Sequence, residues 1–216
     1  MKKIALTVAA LIMGVFATFA QTIPSCPNQN SHVNDLAGML SSDDAASIEN
    51  ILSAVDQLAK VSVATVSDLD GADIDTYAAK MANEWGIGEA GKNNGALILI
   101  KQKTADSDGG VAIKAGSGLK EVLTNDVVNE IVNNDLVANF KNGEYGKGII
   151  AAANSIAQKV TAANEAAQKV AAEAAAQAQQ ATAEATTASS GIPTWVWIVL
   201  GIVVLGLIAF FVMKKK

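Results

Sequence analysis

Apolar residues recur every three to four positions between residues 41 and 60, and again between residues 73 and 85. This spacing places them on one face of a helix, so both segments are predicted to form amphipathic helices. Ser41 stands where its side chain can cap the first helix. The two apolar stripes consist of Ile48, Ile51, Leu52, Val55 and Leu58, and of Ile74, Tyr77, Ala78, Met81 and Trp85.

Short apolar runs on either side of the second helix indicate strands. Residues 61–66 (VSVATV) alternate β-branched with small residues, and residues 96–100 (ALILI) form a continuous run typical of a strand covered on both faces. Because a helix connects these two strands, we expect them to pair in parallel. The polar turn at 103–110 then leads to a third strand at 111–115, which suggests a hairpin.

Two more helices are expected, one from Thr124 or Asn125 to about Phe140 and one from Glu144 to Val160. The alternation of strands and helices predicts an α/β fold, in which a mixed central sheet lies between helices in a three-layer α/β/α sandwich.

The N-terminal end carries an export signal. Residues 1–20 combine Lys2 and Lys3 with an apolar stretch and small residues ahead of Gln21, which predicts a signal peptide cleaved at that point. Residues 21–30 are polar and rich in turn-forming residues. We expect them to form a flexible N-terminal tail.

The C-terminal end carries a membrane anchor. Residues 192–213 contain no charge and are long enough to cross a bilayer as one transmembrane helix. The lysine tail at 214–216 is expected to stay in the cytoplasm. We therefore expect a single-pass protein of the plasma (inner) membrane, with its N-terminal domain extracytoplasmic, in the periplasm of a bacterium-like cell.

An Ala-rich segment joins the domain to this anchor. Residues 161–190 contain 14 Ala and neither Gly nor Pro, which predicts a helical stalk or linker. The stalk can be a solvated spacer, or its Ala face can pair weakly with a second copy to give a homo-oligomer. The spacer is favoured because Ala buries little area.

The composition of the chain argues against several classes of binding site and active site. All 16 basic residues of the chain are Lys, and residues 21–159 hold 18 Asp or Glu against 10 Lys, which argues against nucleic acid as a partner. Cys26 and His32 are the single residues of their types, so neither a Cys/His zinc cluster nor a Ser/His/Asp site is supported. No nucleotide-binding glycine motif is present.

Oxygen ligands are plentiful, and three places at the ends of predicted elements are candidates for a cation site. They are Asp35, the loop of Asn93, Asn94 and Gly95, and Asp126 with Glu130 on a helix start. Such ends can converge on a crevice at a sheet edge, although each residue alone is more typical of a turn or cap. The aspartates at positions 68, 70, 73 and 75 fit a turn and a helix cap better than a calcium loop.

Six segments in order resemble the TPM domain family, over about residues 31–160. They are VNDLAGMLS (33–41), EWGIG (84–88), KNNGALILI (92–100), VAIKAGSGL (111–119), LTND (123–126) and FKNGEYGKGI (140–149). That family includes plant thylakoid-lumen proteins linked to photosystem II repair and many exported bacterial proteins with a C-terminal membrane span. The resemblance implies an α/β/α sandwich.

The resemblance also implies a divalent-cation site, with calcium as the expected ion, and an acid phosphatase activity proposed for plant members. Asp35, Asn93, Asn94 and Asp126 match the family's site positions and are the expected metal ligands; no catalytic residue is assigned. Many bacterial relatives carry Asp where Asn94 stands, so cation affinity is expected to be weaker here. The chain also lacks Arg to clamp a phosphate, and Lys92, Lys114 and Lys120 are the substitutes at hand. Two looser matches, Glu121 and Glu130, are not assigned.

These observations predict a membrane-anchored extracytoplasmic TPM domain that binds calcium and acts as a binding or assembly module in envelope-protein maintenance. Its partners would be the membrane, through the C-terminal span, and an envelope protein. Two alternatives remain open: a metal-dependent acid phosphatase, and a structural module that self-associates through its stalk.

Overall fold

The computed structural model describes residues 22–187, with side chains up to residue 179. The signal peptide predicted at 1–20, the transmembrane helix at 192–213 and the lysine tail lie outside the described residues. Within them, no helix is both long and apolar enough to cross a membrane. The elements are β1 (Val33–Asp35), α1 (Ser42–Ser53), β2 (Lys60–Val66), α2 (Ile74–Glu84), β3 (Gly95–Lys101), β4 (Gly110–Ala115), α3 (Asn125–Ile131), α4 (Ala138–Phe140) and α5 (Tyr145–Thr187).

Four strands form one mixed sheet in the order β1-β2-β3-β4. β1, β2 and β3 run parallel, and β4 returns antiparallel to β3. This confirms the predicted α/β class, the parallel pairing and the hairpin. The three parallel strands end at one edge of the sheet, here called the carboxyl edge, and they begin at the opposite amino edge. β1 was not predicted, because three residues are too few to show a strand pattern.

The alternation of side chains along the strands divides the apolar residues between the two faces of the sheet. On one face, Ile98 and its neighbours pack with α1, α3 and α5 around Ile48 and Ile156. On the other face, Leu97 and Leu99 pack with α2 around Met81 and Trp85. β3 is buried along its whole length, as its continuous apolar run predicts.

The two predicted stripes form helices with the predicted caps. The Ser41 side chain accepts a hydrogen bond from the Asp44 backbone and starts α1. The Asp73 side chain accepts one from the Thr76 backbone and starts α2, so this aspartate is a helix cap. α1 ends at Ser53, earlier than predicted, because residues 54–58 tighten into turns that carry the chain to β2.

The helix predicted to end at about Phe140 is interrupted. Residues Val132–Val137 adopt π-helical geometry between α3 and α4. Within this π segment, the Asp135 carboxylate accepts a hydrogen bond from Ser155 of α5 at 2.6 Å. No sequence pattern marks the extra residue of a π turn, and such turns occur frequently at functional sites.

The last helix continues far beyond the domain. Along its first half α5 buries Ile149, Ala153 and Ile156 against the sheet and α1, and Val160 is its last buried residue. From Glu165 to residue 179 every side chain is exposed. The helix is continuous to Thr187.

The segment ahead of β1 contacts the domain, although we expected a flexible tail there. The indole nitrogen of Trp85 donates to the Pro24 carbonyl at 2.8 Å. Ile23 and Cys26 pack against the cluster on the α2 face of the sheet. Glu49 of α1 also accepts hydrogen bonds from the backbone of His32 and from the Ser31 hydroxyl.

Gly95→Ala should strongly destabilise the protein, because an added Cβ would lie 2.1 Å from the Ile87 carbonyl oxygen. Overpacking against rigid backbone costs about 1–3 kcal/mol or more. The free energy of unfolding, measured with urea on the purified full chain, checks this. The control is Gly109→Ala, whose Cβ meets its nearest atoms at 3.3 Å and should change stability much less. Equal losses in the two variants would contradict the contact.

Candidate functional site

Asp35 ends β1 at the carboxyl edge and holds the turn that follows it. Its two carboxylate oxygens accept hydrogen bonds from the Met39 and Leu40 backbone, each at 2.9 Å, and from the Thr65 hydroxyl. The Thr65 oxygen in turn accepts from the Ala37 backbone at 3.0 Å. Thr65 is fully buried in β2. The carboxylate of Asp35 therefore fastens the chain between β1 and α1.

Asn94 lies at the opposite, amino edge, immediately ahead of β3, and is 6% exposed. Its side-chain oxygen accepts from the Glu89 backbone at 2.9 Å, and its amide nitrogen donates to the Leu58 carbonyl at 3.2 Å. Its own carbonyl accepts from the Lys60 backbone at 2.9 Å. Asn94 thus joins the loops that precede β2 and β3, and its oxygen already has a donor.

Four glycines allow the loops of the amino edge to touch backbone to backbone, and we call them the glycine seam: Gly88, Gly95, Gly116 and Gly118. A Cβ on Gly116 or Gly118 would lie 2.2 Å from the carbonyl oxygen of Asn93 or Lys92. Asn93 itself adopts a left-handed conformation, with φ of 49°, and its carbonyl accepts from the Gly118 backbone at 3.0 Å. These close backbone contacts account for the glycines at the four positions, which lie in segments that resemble a known family.

Asp126 lies in the first turn of α3, next to the cap formed by Thr124, and is exposed. A carboxylate at this position is favoured by the unpaired backbone N–H groups of the helix start. Glu121 and Glu130 are also exposed. The turn that leads to α3 is bonded to Asn93, so α3 departs from the amino edge.

The structure does not bring the predicted ligands together. Asp35 is in register with Thr65 and Ile100, five residues along β3 from Gly95. At about 3.3 Å per residue, roughly 17 Å along the strand direction alone separates Asp35 from Gly95, the residue that follows Asn93 and Asn94. In the described part of the chain, no three His, Cys, Asp or Glu side chains are grouped as a metal site. The four predicted residues therefore do not fit one calcium ion, which takes six to eight oxygen ligands.

The lysines considered as phosphate contacts are also separated. Lys92 pairs with Glu89 at 2.7 Å, and Lys114 pairs with Asp75 of α2 at 2.5 Å. Lys120 is exposed and has no ion pair with any described residue. Among the described residues, none of these three lysines forms an ion pair with Asp35.

Two pockets were missed by sequence reasoning. One, of about 350 Å³, lies at the amino edge and is lined by Cys26, His32, Asp56 and Lys60 among others. The His32 ring nitrogen Nδ1 bonds the Val61 carbonyl at 2.7 Å, and its Nε2 lies 3.6 Å from Asp56. These residues are far apart in sequence and each looks like a turn or tail residue, so no spacing pattern could have found the pocket.

The second pocket, of about 580 Å³, lies at the carboxyl edge beside the start of β4. It is lined by apolar side chains of the π segment and by Phe140 and Tyr145 at the ends of α4 and α5, with lysines at 101, 103 and 141. The FKNGEYG segment at 140–146 supplies Phe140, Lys141, Gly143 and Tyr145 to this lining, but its residue types alone do not indicate a pocket.

The chain is similar to a known domain family in sequence and to solved structures in fold. The family model for the TPM domain matches residues 33–159. The N-terminal domain of a P. gingivalis protein, solved by NMR, superposes with a TM-score of 0.57 at 23% identity, covering 63% of this chain and 86% of that one. No curated protein sequence matches the chain.

Two more solved structures are less similar. The N-terminal domain of a Corynebacterium glutamicum protein has a TM-score of 0.47 at 18% identity, covering 65% of this chain and 86% of that one. The BA42 protein of the psychrophilic bacterium Bizionia argentinensis has a TM-score of 0.45 at 15% identity, covering 58% and 83%.

A double-mutant cycle tests whether Asp35 and Asp126 share a cation. Asp35→Ala should cost about 2–3 kcal/mol of stability, because it leaves the buried Thr65 hydroxyl and the half-buried Met39 and Leu40 backbone without their acceptor. Asp126→Ala should cost less than about 1 kcal/mol. Because the two sites are distant, the coupling energy from urea unfolding should stay below about 0.5 kcal/mol, with calcium and with chelator. A larger coupling that appears only with calcium would establish a shared ion.

Acid should selectively weaken the loop around Glu89. The hydrogen bond from Lys92, supported by Asn94, lowers the pKa of Glu89 below its usual value of 4.5. A lowered folded-state pKa contributes stability that is present above the unfolded value and is lost as pH falls through the folded value. Glu89→Gln should therefore melt below the unmodified protein at pH 6 and approach it near pH 3.

Lys92→Met removes the other partner of the same ion pair, so its melting temperature should converge with that of the unmodified protein in the same way. Melting curves between pH 6 and pH 3 measure both variants. A difference that stays constant across this range would show that the ion pair is not the source.

Proposed function

The chain belongs to the TPM domain family, and from this premise we propose that it is an extracytoplasmic binding or assembly module, anchored in the plasma membrane and acting on envelope proteins. The observation that carries the proposal is the continuity of α5, which is a core helix of the domain and extends without a break to Thr187. An apolar segment at 192–213 follows it in the sequence. Among the described residues, this helix therefore ends five positions ahead of the proposed anchor.

The length of α5 beyond the core supports a spacer role. From Val160 to Thr187 the helix rises by about 40 Å, at 1.5 Å per residue. Its exposed side chains are mostly Ala with Gln and Glu, and Val170 is the large apolar residue among them, 66% exposed. An Ala-rich surface buries little area in a coiled coil, so we favour a monomeric spacer over self-association.

The placement of the predicted ligands favours binding over catalysis. A metal-assisted phosphatase needs carboxylates that converge on a cation and a phosphoryl oxygen. Asp35 lies at the carboxyl edge and Asn94 at the amino edge, and the side-chain oxygens of both accept hydrogen bonds from the protein itself. The proposed function therefore includes no step through a shared cation.

Cysteine labelling tests the proposed orientation. In a Cys26→Ser background, a cysteine replacing Lys103 should react with a membrane-impermeant maleimide in intact spheroplasts. A cysteine replacing Lys216 should react only after the membrane is permeabilised, because the lysine tail is expected in the cytoplasm. Labelling of the Lys216 position in intact spheroplasts would reverse the orientation.

The matched control is a chain truncated after residue 190. It should leave the membrane fraction on carbonate washing, whereas the full chain should remain. Identical fractionation of the two chains would contradict anchoring by residues 192–213.

A further inference from the structure

β4 presents a strand edge. It is the last strand of the sheet, and in the described part of the chain its only strand partner is β3. In an antiparallel pair every second residue directs its backbone N–H and C=O away from the neighbour, so one row of these groups along β4 faces outward. Edge strands often carry a Lys that deters pairing. Here the candidate, Lys114, is held by Asp75 of α2.

The 580 Å³ pocket opens at the first residues of this edge. Its lining includes Gly110 and Val111 of β4 and Val132 and Val137 of the π segment. Phe140 and Tyr145 contribute aromatic surface, with ring centroids 5.0 Å apart. The volume lies within the range of ligand pockets and is ample for one large apolar side chain.

Lysines surround the same pocket. Lys101 is 9% exposed, and its ammonium donates to the Ser107 hydroxyl at 2.7 Å and the Asp108 carbonyl at 2.6 Å. Lys103 and Lys141 are exposed and form no ion pair with a described residue. The adjoining turns carry Asp106, Asp108 and Glu144. Lys147 pairs with Glu144, so the three lining lysines are left with two aspartates nearby. In an acidic domain this is a local site for an anion.

The charge selects a direction for a strand added to β4. An antiparallel strand would bring its C-terminal end to Gly110, where β4 begins and the pocket lies. A parallel strand would bring its N-terminal end there, and an ammonium would be repelled by Lys103 and Lys141. A terminal carboxylate is instead attracted by the same groups.

We propose that β4 binds the C-terminal segment of a partner protein as an added antiparallel strand, with the last side chain in the pocket and the terminal carboxylate at Lys103 and Lys141. Backbone hydrogen bonds supply affinity in this mode of recognition, and the pocket supplies specificity. The inference rests on the binding-module part of the proposed function and is independent of the membrane anchor.

Twenty hexapeptides of the form TVTVTX, which differ only in the last residue and have a free terminal carboxylate, test the proposal. Titrated against the purified full chain in detergent, peptides ending in a large apolar residue should bind most tightly. Replacing the terminal carboxylate by an amide should weaken binding about tenfold, the loss expected for one charge-assisted contact of about 1.4 kcal/mol. Amide NMR shifts should centre on residues 110–115.

Substitutions locate the contacts. Lys103→Gln and Lys141→Gln should each weaken the carboxylate peptides several-fold and leave the amide peptides unchanged. The matched control is Lys120→Gln, which alters an exposed lysine beyond the other end of β4 and should have no effect. Circular dichroism confirms that the variants are folded.

Three outcomes would overturn the proposal: no binding by any of the twenty peptides up to 5 mM concentration, equal binding of acid and amide forms, or N-acetyl-phenylalanine binding as tightly as the hexapeptides. The last would show that the pocket takes a small anion without the strand edge. Failure of the labelling experiment would remove the anchor and leave peptide binding intact, so the two proposals can fail separately.

Discussion

The close approach of backbone at the amino edge is the constraint on which the rest of the structure depends. Gly95 starts β3 in contact with the chain at Ile87, and Gly116 ends the hairpin against the Asn93 carbonyl. These contacts set where β3 begins, and β3 is the central buried strand that orders both apolar clusters. Any side chain at the seam would separate the loops and shift β3 relative to its neighbours.

The polar residues of the family segments serve the same purpose. Asn94 ties the loop before β3 to the end of the turns that follow α1, through the Leu58 carbonyl. At the other edge, Asp35 ties the turn after β1 to the buried hydroxyl of Thr65. The polar atoms of these side chains form hydrogen bonds within the protein. The segments that identify the family are therefore largely those that hold the loops together at the two edges of the sheet.

Local patterns in the sequence were sufficient to predict three of the four strands and most of the helices, and insufficient to predict the site. The Ile48–Leu52 stripe and the ALILI run are each set by neighbours within a few residues, so their periodicity shows directly in the sequence. Predicting the site required knowing which strand ends lie at the same edge of the sheet. Asp35 is the last residue of a parallel strand and Asn94 precedes one, so they belong to opposite edges of the sheet. Predicting this would require recognising β1 as a strand from three residues. The π segment likewise leaves no mark in the apolar spacing.

Helix α5 connects the packing of the domain core to the orientation of the domain. Ile149 and Ile156 are fully buried in the core, and the same helix continues beyond the core to Thr187, the proposed spacer. A flexible linker would let the domain rotate freely, whereas an unbroken helix fixes the direction in which each sheet edge faces relative to the spacer axis. β4 and its pocket lie on the domain at a fixed angle to that axis. If the spacer stands on a membrane, the orientation of the β4 edge toward a partner is therefore set by the core contacts of α5 and not by the partner.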